Sequence, residues 1–317
     1  MLPTKLDAAN SPCPQSEICF PALWSLNLLL FGLFASVTSG QTYEAYMRTH
    51  IFDPVGMTDT YTVADETRLP RMAIGCRHVE KRLEPSPTIS ESFGWAAGNV
   101  VSTLADLAKW NAALRSGKVI SKADYGLMST SVRTSQGDAG YGLGLFVDDV
   151  DGQPRVGHTG GSFGFTTANE YFPKQDLQVI AFTNNGDDTP EPGEILTQIV
   201  FEDLYPRIAE AARKPSPGAD PSITPMARAA FVSLQNGEDA QGAFSPNLAA
   251  KLKSGLGEIE AKQFIGYGAP TAVIFKGARV ANGLKWSDYL LQFGPGCALK
   301  FGIGLGSDGK IASFSFG

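Results

Sequence analysis

The chain has 317 residues, 43% hydrophobic and 18% charged, enough apolar side chain for one large domain or two ordinary ones, and this excludes a globally disordered chain. A net charge of -6 without a long Lys/Arg run argues against a general nucleic-acid binder. Cys13, Cys19, Cys76 and Cys297 are too few and too scattered for a disulfide scaffold or a cysteine-rich zinc site, and they leave the redox compartment open.

Phe20 to Val37 reads FPALWSLNLLLFGLFASV and runs into the small residues Thr38, Ser39 and Gly40. Two readings stand: a buried helix of a globular domain, or a targeting or membrane segment. The first 19 residues hold one Lys against Asp7 and Glu17, where a signal n-region is basic. Ser25, Asn27 and Gly32 interrupt a stretch barely long enough to span a bilayer.

Thr42 to Ile51 places Tyr43, Tyr46, Met47, His50 and Ile51 on one helical face, and Asp53-Pro54 is expected to stop that helix. Residues 58 to 95 read as an irregular excursion punctuated by Pro70, Pro85 and Pro87. Thr103-Leu104-Ala105-Asp106 is a capping box. It predicts a helix with Leu104, Leu107, Ala108 and Leu114 inward, ended by Gly117.

The pattern then turns to strands: Tyr141 to Val147, a hairpin turn at Asp151-Gly152, Arg155 to Thr159, Phe165 to Phe172, and Leu177 to Thr183 after a turn at Pro173 to Asp176. This is an antiparallel meander, and amphipathic Glu194 to Tyr205 is a helix able to cover one of its faces. The Pro/Gly-rich stretch Pro206 to Pro221 reads as a linker. Beyond it come mostly helical residues 226 to 256, then apolar runs at 271–279, 284–293, 297–304 and 311–316, with a turn at Asp308-Gly309. Phe264, Tyr267, Phe275, Trp286, Tyr289, Phe293, Phe301, Phe314 and Phe316 are expected to form the core of a curved sheet.

Three segments together resemble the serine β-lactamase-like family of class C β-lactamases, D-alanyl-D-alanine carboxypeptidases and related esterases. They are Ser39-Gly40-Gln41-Thr42-Tyr43 running on to Ile51-Phe52-Asp53-Pro54-Val55-Gly56-Met57; Ala97-Gly98-Asn99-Val100-Val101-Ser102-Thr103 with Asp106-Leu107; and Gly140-Tyr141-Gly142-Leu143-Gly144, His158-Thr159-Gly160-Gly161, Tyr171-Phe172-Pro173 and Thr183-Asn184. The resemblance implies an α/β (α+β) fold, a partial β-lactamase/transpeptidase-like domain over 27–205 with an antiparallel sheet flanked by helices. Residues 1–26 stay unassigned, 206–221 form the linker, and 222–317 form a small α+β accessory domain with a loose likeness to cystatin-like or NTF2-like domains.

The family chemistry rests on a Ser-x-x-Lys at a helix start, a Tyr-x-Asn loop, and a Lys-Thr-Gly or His-Thr-Gly strand. Only the third is matched, by His158, Thr159 and Gly160, which the resemblance implies hold a substrate carboxylate and carbonyl. An ungapped match puts Leu23, Trp24 and Ser25 where Tyr-x-Asn belongs, and too few residues precede them for the first motif. A truncated or frame-shifted reading frame, or a degenerate enzyme, gives this pattern.

Apparent replacements read better as structure. Ser307-Asp308-Gly309-Lys310 matches Ser-x-x-Lys by letters but sits on a hairpin turn, which does not stack Lys over Ser. Ser25-Leu26-Asn27 needs a gap and lies inside the apolar run. Gly160-Gly161-Ser162-Phe163-Gly164 matches a nucleophile elbow, but a strand follows it, and His50, His78 and His158 all precede it. Cys76-Arg77-His78 has no second cluster for a metal and reads as a surface loop.

The expectation is a member of the serine β-lactamase-like hydrolase family, acting by acyl transfer on amides, esters or cell-wall peptides, that lacks its nucleophilic half and is inactive alone. No catalytic residue, cofactor or metal is assigned. The expected partner is a small acyl or peptide ligand at the remnant site, and no nucleic acid. The alternatives are a non-catalytic binding or scaffold protein that self-associates, and a membrane-anchored protein using residues 20–37. Family members usually work in the periplasm or outside the cell.

Overall fold

The computed structural model describes residues 19–62, 72–79, 82–87, 94–135, 137–162, 164–186, 191–239, 242–254 and 264–316, the side chains of 19–27, Gly137 and Ser162 excepted. Much of the excursion expected at 58–95, and Phe163, lie outside them. Contacts divide the chain into two compact units: residues 1–73 with 87–122, and residues 74–86 with 123–317.

The first unit is helical. α1 spans Cys19–Ser39 and α2 spans Tyr43–Met47, whose cap Thr42 accepts from the Ala45 amide. The helix expected to stop at Asp53-Pro54 instead widens into a π-turn over Arg48–Phe52 and resumes as α3, Asp53–Val55. Pro54 sits in the first turn of that last piece, where its missing N–H costs nothing, and Gly56 at φ +79° ends it. In the described part of α1, Leu28, Phe31, Phe34 and Val37 are exposed rather than buried. Its one buried described position is Gly32, where a Cβ would strike Ala96. No helix of the described residues is long and apolar enough to cross a membrane.

α4, Leu104–Ser116, opens as the capping box predicts: Thr103 accepts from the Asp106 amide, and Gly117 closes the helix at φ +89°. Its buried face matches the expected one only at Leu114. Asp106, Asn111, Ala113 and Leu114 are buried, while Leu104 is exposed. The reason is polar. Asp106 Oδ2 accepts from the Asp59 amide at 2.7 Å and the Thr60 hydroxyl at 3.0 Å, and Oδ1 accepts from Lys109 at 2.7 Å. A buried carboxylate with three donors turns that face of α4 inward.

In the second unit, Cys76-Arg77-His78 forms strand β1, Cys76–Val79, rather than a loop, paired with β2, Arg82–Pro85. α5 follows at Lys122–Met128, then the short pair β3, Arg133–Thr134, and β4, Gly137–Asp138. The meander is β5 Phe146–Val150, β6 Gln153–Ser162, β7 Phe165–Phe172 and β8 Leu177–Thr183, in the order β5-β6-β7-β8. Residues 141–145, expected to begin β5, instead form a tight turn: the Gly142 amide donates to Leu145 O at 2.8 Å, Gly144 takes φ +86°, and Tyr141 bridges to Phe146. The turn at Asp151-Gly152 has both residues at positive φ, +54° and +74°, the geometry a two-residue hairpin requires.

α6, Pro192–Leu204, lies on the face of the sheet that carries Phe172 and Val179, and its Phe201 stacks on Phe172 at 4.2 Å. The stretch expected as linker begins with α7, Pro206–Ala212, and the Ser216 amide donates to Phe275 O at 2.8 Å. Then come α8, Ile223–Asn236, and α9, Pro246–Leu252, against a second meander: β9 Ala272–Ala281, β10 Leu284–Gly294, β11 Cys297–Leu305 and β12 Ile311–Phe316. Register shifts within β9–β10, β10–β11 and β11–β12 bend this sheet around α8. Phe231, Tyr289, Leu291, Phe301 and Ile303 are its centre, and Phe264, Tyr267, Phe275, Phe293 and Phe314 join them as expected, whereas Trp286 lies outside this cluster, beneath the Arg279 guanidinium. Phe316 is the exposed member, at 42%, and stacks on Phe264.

Candidate functional site

β6 carries His158, Thr159 and Gly160. β7 pairs with β6 from Val156 to Ser162, whereas β5 stops opposite Gly157. From His158 to Ser162, β6 therefore has a strand on one side and no strand on the other among the described residues. Such an overhang offers backbone donors and acceptors to an extended ligand.

Side chains alternate along the strand. Thr159 lies opposite fully buried Ala168, toward the face that α6 covers, and His158 lies opposite Asn169 on the other face. His158 and Gly160 thus share a face that Thr159 does not. Thr167 donates to Gly160 O at 3.3 Å and holds that peptide in the sheet. Gly157 is packed so closely on the Asn169 carbonyl that no side chain fits there.

His158 is exposed, and both its ring nitrogens have neighbours. Nδ1 is 2.5 Å from Thr159 O, and Nε2 is 3.0 Å from the Tyr141 hydroxyl. The Phe146 ring lies 4.7 Å from the imidazole and 5.0 Å edge-on from Tyr141. Burial holds the Tyr141 phenol above its ordinary range. Sequence reading placed Tyr141 at the start of a strand and missed this contact; the only signal was its place between Gly140 and Gly142, which free the backbone there.

On the α6 side, Glu191 lies beside Gly161, and its carboxyl is raised by burial and then by Glu194. Deeper, Arg155 bonds Asp148 at 2.6 Å, Glu170 at 2.7 Å and Glu194 at 3.4 Å. Burial alone would depress the guanidinium; the Asp148 hydrogen bonds and the three carboxylates raise it instead. This cluster ties β5, β6 and β7 to α6. The Gly193 amide at the start of α6 also donates to Thr166 at 3.3 Å, beside the Thr166–Thr183 hydroxyl pair.

Ser307 to Lys310 is a turn joining β11 to β12, with the Lys310 amide on Asp308 Oδ1 and Gly309 at φ +75°. Gly160 to Ser162 ends strand β6, Gly164 takes φ +83°, and strand β7 begins at Phe165, where a nucleophile elbow needs a helix. Ser25 and Asn27 lie in α1, and their side chains, like that of Ser162, lie outside the described ones. Among the described residues no group of three or more His, Cys, Asp or Glu is placed to hold a metal ion.

The model of the family described as Beta-lactamase matches residues 25–201. The chain is 28% identical over 169 residues to penicillin-binding protein PbpX of Bacillus subtilis (strain 168), covering 52% of this chain and 41% of that protein. It is 24% identical over 231 residues to penicillin-binding protein 4 of Amycolatopsis lactamdurans, covering 68% and 60%. Among solved structures, the octameric penicillin-binding protein homologue from Pyrococcus abyssi aligns at 18% identity and a TM-score of 0.49, covering 90% of this chain and 61% of that one. The chain thus spans between 41% and 60% of the length of these curated relatives.

Proposed function

The chain belongs to the beta-lactamase family, and from that premise we propose that it binds an acyl or peptide ligand along the free edge of β6 without turning it over. The observation that carries this reading is the overhang of β6 past β5, with His158 at its start and Gly160 on the same face. Backbone groups of His158 to Ser162 pair with an extended ligand, whose end lies beside the Tyr141–His158 pair. Thr159 contributes through its main chain. The sequence contains no Tyr-x-Asn, and its one Ser-x-x-Lys is the β11–β12 turn. Loss of nucleophile and base together removes several powers of ten in rate, by analogy with serine-protease triads. An N-acyl-D-alanyl-D-alanine peptide titrated by calorimetry should bind, and more weakly to His158→Ala. A chromogenic cephalosporin should not be hydrolysed. Hydrolysis abolished by Ser162→Ala would overturn the reading.

A second reading is favoured by α1. Leu28, Phe31, Phe34 and Val37 of α1 are exposed, and exposed apolar side chains close together on one helix favour association. On this reading the chain is a binding or scaffold protein that self-associates through residues 20–37. Light scattering on wild type and Phe31→Ser/Phe34→Ser tests it; a monodisperse wild-type monomer counts against it.

A further inference from the structure

We infer that Tyr141, His158 and the Thr159 carbonyl form a nucleophile, base and orienting group that accepts an acyl group from activated aryl esters. The inference stands on contacts within the second unit and does not depend on how β6 binds a peptide.

The hydrogen-bond directions follow from chemistry. A carbonyl oxygen only accepts, so the tautomer that makes a hydrogen bond of the 2.5 Å contact with Thr159 O carries the imidazole proton on Nδ1. In the neutral ring Nε2 is then the lone-pair nitrogen, and the Tyr141 hydroxyl donates to it across 3.0 Å. This is the arrangement of an activated nucleophile: an O–H on a base, and the base fixed by a third group.

Phe146 braces both rings, edge-on to Tyr141 at 5.0 Å and tilted over His158 at 4.7 Å. It is itself 38% exposed, which leaves an aromatic surface beside the hydroxyl for an aryl leaving group. His158 is exposed, so an ester reaches the pair from solvent. Because burial keeps the phenol from ionising by itself, the imidazole must take its proton during attack.

The step balances without another reagent. The Tyr141 oxygen bonds to the ester carbonyl carbon as its proton passes to His158 Nε2. The carbon–oxygen bond to the aryl group breaks, and the aryl oxide leaves with the electron pair. The imidazolium returns its proton to the leaving group or to water, and the product is an acylated tyrosine. No described group positions a water for the return step, so release is slow.

The test uses the whole chain and p-nitrophenyl acetate. The expected result is a burst of p-nitrophenolate approaching one per chain, with one acetyl group mapped to Tyr141. Tyr141→Phe, which keeps the ring against Phe146, should lose the burst and the modification. His158→Asn keeps a donor for the Thr159 carbonyl and removes the base, so acetylation should slow by about 100-fold. Acetyl groups confined to lysine amines, or Tyr141 acetylated equally fast in His158→Asn, would overturn the proposal. Nitrogen-15 shifts of the wild-type imidazole need no variant: an Nδ1–H tautomer supports it, and an Nε2–H tautomer sinks it.

Discussion

Arg155 Nη1 and Glu170 Oε1 stand 2.7 Å apart beneath α6, with side chains only 13% and 3% exposed. Glu170 has no water to return to if Arg155 is removed, whereas Arg155 keeps Asp148 and Glu194. Arg155→Met should therefore cost about 3–5 kcal/mol, because it strands Glu170. Burial already raises the Glu170 carboxyl, and Arg155 is the largest opposing influence. Urea midpoints measure the loss, and the double variant Arg155→Met/Glu170→Gln should recover part of it. A double variant less stable than the single one would show that the carboxylate has other support.

Asp106 makes the opposite electrostatic case in the first unit. Burial alone would raise its carboxyl, but the hydrogen bonds from Lys109, the Asp59 amide and Thr60, with the Lys109 charge, lower it overall. A lowered folded-state value means stability that is present above the ordinary carboxylate range and lost as pH falls through it. Asp106→Ala should cost about 1–3 kcal/mol for each donor left buried without an acceptor. Asp106→Asn should cost less and should flatten the acid limb of a stability–pH curve recorded by circular dichroism.

Asp151 is pushed up to about 6, first by burial and next by Glu202, against the pull of Arg213 and Lys276; Asp149 adds to the rise. Its sign is reversed. The folded chain holds this proton more tightly than the unfolded one, so stability falls as pH rises from the ordinary carboxylate range to about 6. Asp151→Asn should raise Tm at pH 7 and change it little at acid pH. Asparagine also tolerates the φ of +54° here, so the backbone does not confuse the comparison.

Two glycines separate close packing from open space. Gly157→Ala would drive a methyl group into the Asn169 carbonyl and part β6 from β7. Gly126, inside α5, has nothing near its Cβ position. Gly126→Ala should be neutral or stabilising by up to about 1 kcal/mol. Thermal melts of the pair should move in opposite directions, with Gly157→Ala much the larger change.

Much of the second unit was legible because its strands alternate and its turns are chemically marked. Phe165–Phe172 and Leu177–Thr183 are found at their expected limits, and Asp151-Gly152 makes the expected hairpin. The four C-terminal strands agree to within a few residues. Failures arose where a polar or backbone contact outranked apolar periodicity. α4 turns Asp106 inward because distant donors at Asp59 and Thr60 meet it there. Residues 48–55 continue helically through Pro54 because a π-turn shifts the register before the ring arrives. At the site, His158 was found by its motif, but Tyr141 depends on a contact between residues 17 positions apart. That contact follows from the irregular path of 141–145, which no periodicity describes.

The hairpin of β1 and β2 belongs to the second unit although about forty residues of the first separate it from the rest. Its Cys76 amide lies 3.1 Å from Gly164 O and 2.9 Å from Asn184 O. During synthesis that hairpin leaves the ribosome roughly a hundred residues before its receptors do. At about 5–20 residues per second it waits on the order of 5–20 s, unpaired with anything but itself. The order in which this chain is made is therefore not the order in which it can close, and until its receptors emerge the hairpin stands open to chaperones and proteases.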